Sequence, residues 1–204
     1  MGVLKVDIVG TAEMSEGDWD LWRAMIAADP ALNSPYFRPE FAQVAGQVSP
    51  GAAVAVLSRD GATVGFFAFQ RRGGTIQPLG APMNDYHGVI ARPGEAPALE
   101  VLARMLDAPR LNMTAWVGEA DGPSRRTVQV QLDEGGYDAW YRERRTSFGK
   151  FFKDKERARR SLVTESGPIR VESGLRDPAL LTWLIDLKRA QYRRTARHDI
   201  FACG

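Results

Sequence analysis

Apolar residues fall in short blocks over residues 52–90, and pairs of turn formers separate the blocks. Residues 52–57 and 63–70 read as strands, with Asp60-Gly61 between them, and Gly73-Gly74 precedes a third strand that begins at Thr75. Tight hairpin turns that match strand twist need φ > 0 at both central residues, which Asp-Gly and Gly-Gly supply. A three-strand meander is therefore expected. The third strand leaves through Gly80-Ala81-Pro82 into Met83-Asn84-Asp85-Tyr86-His87-Gly88, a polar and aromatic cluster carried on a rigid scaffold, which is a common way to build a site.

Around the meander the pattern predicts β-α-α before it and α-β-β after it. A strand is expected over 5–9. A helix over 18–28 follows from the spacing of Trp19, Trp22, Met25 and Ile26. Ser34-Pro35 reads as an N-cap with proline at the first helical position, ahead of Phe37, Phe41 and Val44. Beyond the Pro93-Gly94-Glu95 break, Leu99, Leu102, Met105 and Leu106 give one face of a helix over 97–107. Alternation predicts strands over 111–117 and 127–132, with a turn at Asp121-Gly122-Pro123.

From Tyr137 the pattern changes to one long helix over 137–162, with Tyr141, Phe148, Phe151, Phe152 and Leu162 roughly on one side and Gly149 marking a bend. A short strand over 169–172 is expected next. Asp177-Pro178 then opens a helix to about Thr195, on which Leu181, Leu184, Ile185, Lys188 and Tyr192 share one buried face. This divides the chain into a first unit over 1–132 and a second over 133–204.

Composition adds limits. The chain has 204 residues, 44% hydrophobic and 25% charged, enough for a proper core. It holds no stretch of eighteen apolar residues and no N-terminal signal pattern, so a cytoplasmic location is expected. One cysteine, Cys203, and two histidines make a structural metal site improbable. Residues 1–124 carry 9 Lys/Arg against 14 Asp/Glu, and residues 125–204 carry 18 against 11. Nine of those basic residues lie between Arg142 and Arg160, against three acids. That run fits a solvated helix face, a site for an anionic small molecule, or a nucleic-acid surface with Phe148, Phe151 and Phe152 interleaved.

Three stretches resemble a known family: Asn33-Ser34-Pro35-Tyr36-Phe37-Arg38-Pro39-Glu40-Phe41, Pro78-Leu79-Gly80 with Asp85-Tyr86-His87-Gly88, and Leu187-Lys188-Arg189-Ala190-Gln191-Tyr192-Arg193-Arg194-Thr195. They look like the cellulose-biosynthesis-associated acyltransferases of the GNAT superfamily, which are similar in build to the Fem-type peptidoglycan bridge transferases. The resemblance runs from about Ser15 to Phe201. It implies an α/β (α+β) fold, with a GNAT-like mixed central sheet and flanking helices followed by an incomplete second GNAT-like unit. It also implies acyl transfer from acetyl-CoA or another acyl-CoA to a saccharide or cell-envelope precursor, without a metal. Members are usually much longer, so a chain ending at Gly204 is expected to be the N-terminal part of such an enzyme, inactive alone and prone to self-association.

Holding the pyrophosphate of an acyl-CoA requires free backbone N–H groups at a helix N-terminus. The nearest match, Gln77-Pro78-Leu79-Gly80-Ala81-Pro82, fails at its last position and reads better as a strand-end turn. For the acceptor, Asp85 can orient a hydroxyl or ammonium, Tyr86 offers a ring for a sugar, and His87 titrates near neutrality. The plain alternative is a turn that Asp85 caps and Tyr86 packs. Lys188, Tyr192 and Arg193 are the second candidate group, and they either face a cleft or only reach the rim of a core. No residue is assigned as catalytic base. The reading from a different class is a non-catalytic module whose basic helix holds an anionic polymer or nucleic acid.

Overall fold

The computed structural model describes residues 2–121, 130 and 132–202. It divides into two compact units, Met1–Arg125 and Arg126–Gly204. Most of the strand expected over 127–132, most of the turn after Asp121, and Cys203 lie outside the described residues.

Unit 1 is a mixed sheet between helices. Its strands are β1 (Leu4–Val9), β2 (Ala52–Arg59), β3 (Ala62–Arg72) and β4 (Thr75–Pro78), paired antiparallel in chain order. The expected meander is therefore present. Asp60 and Gly61, and then Gly73 and Gly74, all take positive φ, as two-residue turns of the twist-matching kind require. Beyond β4 come two-residue pairings, β5 (His87–Gly88), β6 (Ile90–Ala91), β7 (Arg110–Leu111) and β8 (Trp116–Val117). β7 lies parallel to β4, and β8 lies parallel to β5 as a separate small sheet.

The far edge of β3 has two successive partners. β4 covers Phe69 to Arg72, β6 covers Gly65 and Phe66, and among the described residues no strand is paired with Phe67 or Ala68 on that side.

The continuous strand expected over 111–117 is instead two short pairings. The Asn112 N–H still bonds the Ile76 carbonyl, but Ala115 takes φ 48°, which turns the chain between them.

Both sheet faces are covered. α1 (Glu16–Ala28) and α2 (Pro39–Val48) lie over the face of Val54 and Phe66, where Trp22 stacks on Phe66 at 5.2 Å. α3 (Leu99–Met105) contributes Leu102 to the opposite face beside Leu57, Phe67 and Phe69. α1 starts two residues earlier than its apolar pattern indicates, because Ser15 and Asp18 form a capping box. Ser34 does cap a turn that begins with proline, but it is the 3₁₀ turn Pro35–Phe37; α2 begins afresh at Pro39.

Unit 2 contains α4 (Gly136–Ser147), α5 (Gly149–Ser166) and α6 (Pro178–Arg194), giving six α-helices among the described residues. The single helix expected over 137–162 is broken at Phe148, whose φ of −124° and ψ of 42° are not helical. An unbroken helix would hold Tyr141 and Phe152 about 16 Å apart along its axis. Their rings instead meet edge-on at 5.1 Å, and Arg145 pairs with Glu156 at 3.3 Å. The break thus turns α5 back against α4.

The strand expected over 169–172 is absent; the segment is irregular, and Val171 is 87% exposed. Asp177 caps α6 as anticipated, accepting from the Ala179 N–H at 2.8 Å. The expected stripe is only partly covered: Leu181 and Leu184 are exposed, Ile185, Lys188 and Tyr192 are half-buried, and Trp183 and Leu187 beside it are exposed as well. Helical spacing specifies an amphipathic face, and only a packing partner makes that face a core.

No helix among the described residues is long and apolar enough to cross a membrane.

Candidate functional site

The turn after β4 is held by Gln70. This side chain, 1% exposed in the middle of a sheet face, accepts from the Gly80 N–H at 3.2 Å and donates to the Ala81 carbonyl at 3.4 Å. The Ala81 N–H goes to the Pro78 carbonyl, and the Met83 N–H to Gly80. The amides of this segment are thus occupied, and no helix follows before α3. Residues 77–82 form a strand-end turn, with the shape and donors of a phosphate loop missing.

The turn delivers Asp85, Tyr86 and His87 to three different roles. Asp85 is exposed, and its Oδ2 accepts the Tyr36 hydroxyl at 3.2 Å. Burial first, and then this carboxylate, push the Tyr36 phenol above its ordinary value, so it stays a proton donor to Asp85. Tyr86 is half-buried with its ring 6.5 Å from that of Tyr36, which Phe41 meets edge-on at 5.4 Å. Tyr36 is positioned from below, because the Trp22 Nε1–H donates to the Phe37 carbonyl at 2.7 Å and fixes the 3₁₀ turn that carries it.

His87 is 4% exposed. Its Nδ1 accepts the Thr114 N–H at 3.2 Å, which leaves the ring proton on Nε2. Burial pushes the imidazole down to about 4, against weaker opposing pulls from the Thr114 backbone, the Asp85 carboxylate and the Asn84 backbone. The expectation that His87 titrates near neutrality is therefore corrected: it is neutral at pH 7. Its Nε2–H and the Oδ1 of buried Asn84 have no hydrogen-bond partner among the described residues, and leaving such groups unsatisfied costs roughly 1–3 kcal/mol each.

Two openings meet at the wall formed by Pro78, Asn84 and His87. One is a narrow cleft under the tyrosines, about 20 Å³, with Phe67, Ala68 and Ile90 at its base. It lies where β3 passes from β4 to β6, and it has room for roughly one water. The other opening is a polar recess of about 220 Å³ that includes Arg72, Gln77, Asn112 and Thr114. Of those four only Gln77 was named from sequence, as the start of the rejected phosphate-loop match, and they come from three separate stretches of chain.

Lys188, Tyr192 and Arg193 belong to unit 2. Lys188 Nζ donates to Gln191 Oε1 at 3.2 Å and lies 6.0 Å above the Tyr192 ring, which neighbours Phe201 at 6.4 Å. Arg193 is exposed, and its charge acts on Asp199, the partner of Arg189 at 3.0 Å.

Comparison with family models, curated proteins and solved structures gives no match to this chain.

Proposed function

We propose that the chain supplies the acceptor-binding part of a cytoplasmic GNAT-type acyltransferase acting on a saccharide or cell-envelope precursor. The carrying observation is convergence: Tyr36, Phe37 and Phe41 from one stretch that resembles the family meet Pro78, Leu79, Asp85, Tyr86 and His87 from another around one cleft. Paired tyrosine rings beside a carboxylate suit an amino sugar, whose ring stacks and whose ammonium or hydroxyl is oriented by Asp85. Tyr36 orders that carboxylate. His87, neutral with its Nδ1 engaged, acts as a hydrogen-bond donor and is not the base. In the reaction the acceptor nitrogen or oxygen bonds to the acyl carbon, the thioester C–S bond breaks, and the acceptor's proton balances the leaving thiolate. The donor, acetyl-CoA or another acyl-CoA, rests on the resemblance alone, and the 77–82 turn does not fit its pyrophosphate. The same reading carries self-association through the open apolar face of α6.

Saturable binding of D-glucosamine is expected. Asp85→Asn should weaken it about tenfold by removing a charge-assisted hydrogen bond, and Tyr36→Phe should weaken it less. Calorimetric titration checks both, and equal affinity in the wild type and Asp85→Asn would overturn the reading.

A second reading has its own observation. Lys150, Lys153, Arg157 and Arg160 recur at helical spacing on α5 and line one shallow groove, and of these only Arg157 is ion-paired, with Asp154 at 3.2 Å. Such a face suits a non-catalytic module that holds an anionic polymer or nucleic acid. Reversing Lys153, Arg157 and Arg160 to glutamate should abolish anion binding while shifting stability by less than about 1 kcal/mol, since exposed charges contribute little. If the acyltransferase reading holds, single-stranded nucleic acid binds weakly and its affinity falls steeply with salt. Tight binding at physiological salt that the triple variant loses would favour the second reading.

A further inference from the structure

The polar recess beside the cleft lies on the sheet face that carries Phe66 and Ala68 nearer its centre. Strand register explains its chemistry. Arg72 sits opposite Thr75, and Thr75 opposite Arg110, in one row across β3, β4 and β7; Gln70 sits opposite Gln77 in the next row. Residues on one row share a face, so the face changes from apolar to polar and cationic toward this end. Among the described residues Arg72 is the one charged group lining the recess, and His87 is held neutral. No carboxylate of the described residues lines it, although acids outnumber bases in this part of the chain. The Arg72 side chain has no hydrogen bond or ion pair among the described residues.

We propose that this recess binds a small hydroxylated carboxylate of monosaccharide size, a sugar acid, with Arg72 on the carboxylate. A planar carboxylate matches the guanidinium fork. A phosphate also pairs with a guanidinium, but its further oxygens are commonly met by free backbone N–H groups, and those of the 80–83 turn are already taken. Gln77, Asn112 and Thr114 side chains each donate and accept, the complement of a row of hydroxyls. Asn84 and His87 complete the wall that the recess shares with the cleft. The volume, about 220 Å³, lies below the roughly 300 Å³ at which sites for drug-sized molecules begin. The site is separate from the Tyr36–Asp85 face and does not depend on acyl transfer.

The test titrates the 204-residue chain with D-glucuronate at low ionic strength, with D-glucose, propionate and D-glucose 6-phosphate as comparators. Glucuronate is expected to bind saturably and more tightly than all three, and Arg72→Ala should weaken it about tenfold. Because Arg72 is exposed, that variant should melt as the wild type does; Asn112→Ala is a second variant expected to weaken glucuronate more than propionate. Absence of saturable binding, equal affinity in wild type and Arg72→Ala, or propionate binding as tightly as glucuronate would each overturn the proposal. So would tighter binding of the phosphate ester, which would make the recess a phosphate site. Failure of glucosamine to bind bears on the tyrosine face alone.

Discussion

Trp22→Ala should destabilise unit 1 by about 3–5 kcal/mol, the usual cost of emptying a buried tryptophan site. Trp22 is 1% exposed, stacks on Phe66 and lies 5.4 Å from Trp19, so its removal leaves a cavity that neighbours from two layers cannot close. The indole N–H also holds the Phe37 carbonyl at 2.7 Å. A domain of this size is stable by roughly 5–15 kcal/mol, so the variant should sit near its unfolding threshold. Trp22→Phe retains much of the stacking and loses the hydrogen bond, which should free the turn carrying Tyr36 and weaken ligand binding at Asp85 more than it weakens the fold. The contrast is Trp183→Ala on α6, where the side chain is 62% exposed and the expected change is within about 1 kcal/mol. Urea titrations followed by circular dichroism measure all three. A Trp22→Ala chain no less stable than Trp183→Ala would contradict the packing described.

The second large effect is a loss of stability in acid that originates at one side chain. His87 has an ordinary value of 6.5 and is lowered to about 4 in the folded chain, chiefly by burial. Between those values the unfolded chain takes up a proton that the folded chain refuses. Stability from this group is therefore full above pH 6.5 and declines as pH falls toward 4, by no more than about 3 kcal/mol. In His87→Asn the amide oxygen stands in for Nδ1 as acceptor of the Thr114 N–H, and the titration is removed. The stability difference between wild type and variant should shrink steadily from pH 7 to pH 4.5. Carboxylates common to both proteins cancel in that difference. A difference that stays constant with pH would show that His87 is not held neutral by burial.

The elements whose signal is local were legible in the sequence. Asp60-Gly61 and Gly73-Gly74 specify their own backbone geometry, so the meander and its strand order followed. Asp177-Pro178 likewise specifies a helix start. The Ser15–Asp18 box that marks the true start of α1 was not picked out, because the apolar spacing begins only at Trp19. Burial was less legible, because amphipathic spacing on α6 says which residues would face a partner and nothing about whether one is present. The break at Phe148 is one residue from Gly149, where a bend was expected, but its sharpness depends on Tyr141 finding Phe152.

Asp85, Tyr86 and His87 were visible as a cluster of functional side-chain types, yet their division of labour was not. Burial of His87, exposure of Asp85 and the role of Tyr36 are set by residues 27 to 49 positions away. Gln70 and Arg72 gave no signal at all, since a polar end to a strand has many meanings until its neighbours across the sheet are known.

The change of partner along the edge of β3 has a consequence for how the cleft could be read genetically. Consecutive strand residues send their backbone groups to opposite edges, so one of Phe67 and Ala68 turns its N–H and C=O toward the gap between β4 and β6. That donor and acceptor belong to the peptide itself. A substitution scan that replaces every side chain around the cleft would leave both in place, and a ligand that used them would seem to bind without contacts. A proline there would remove the N–H, and a change in chain path, such as an inserted residue ahead of Ile90 that slides β6 along the edge, would cover both groups.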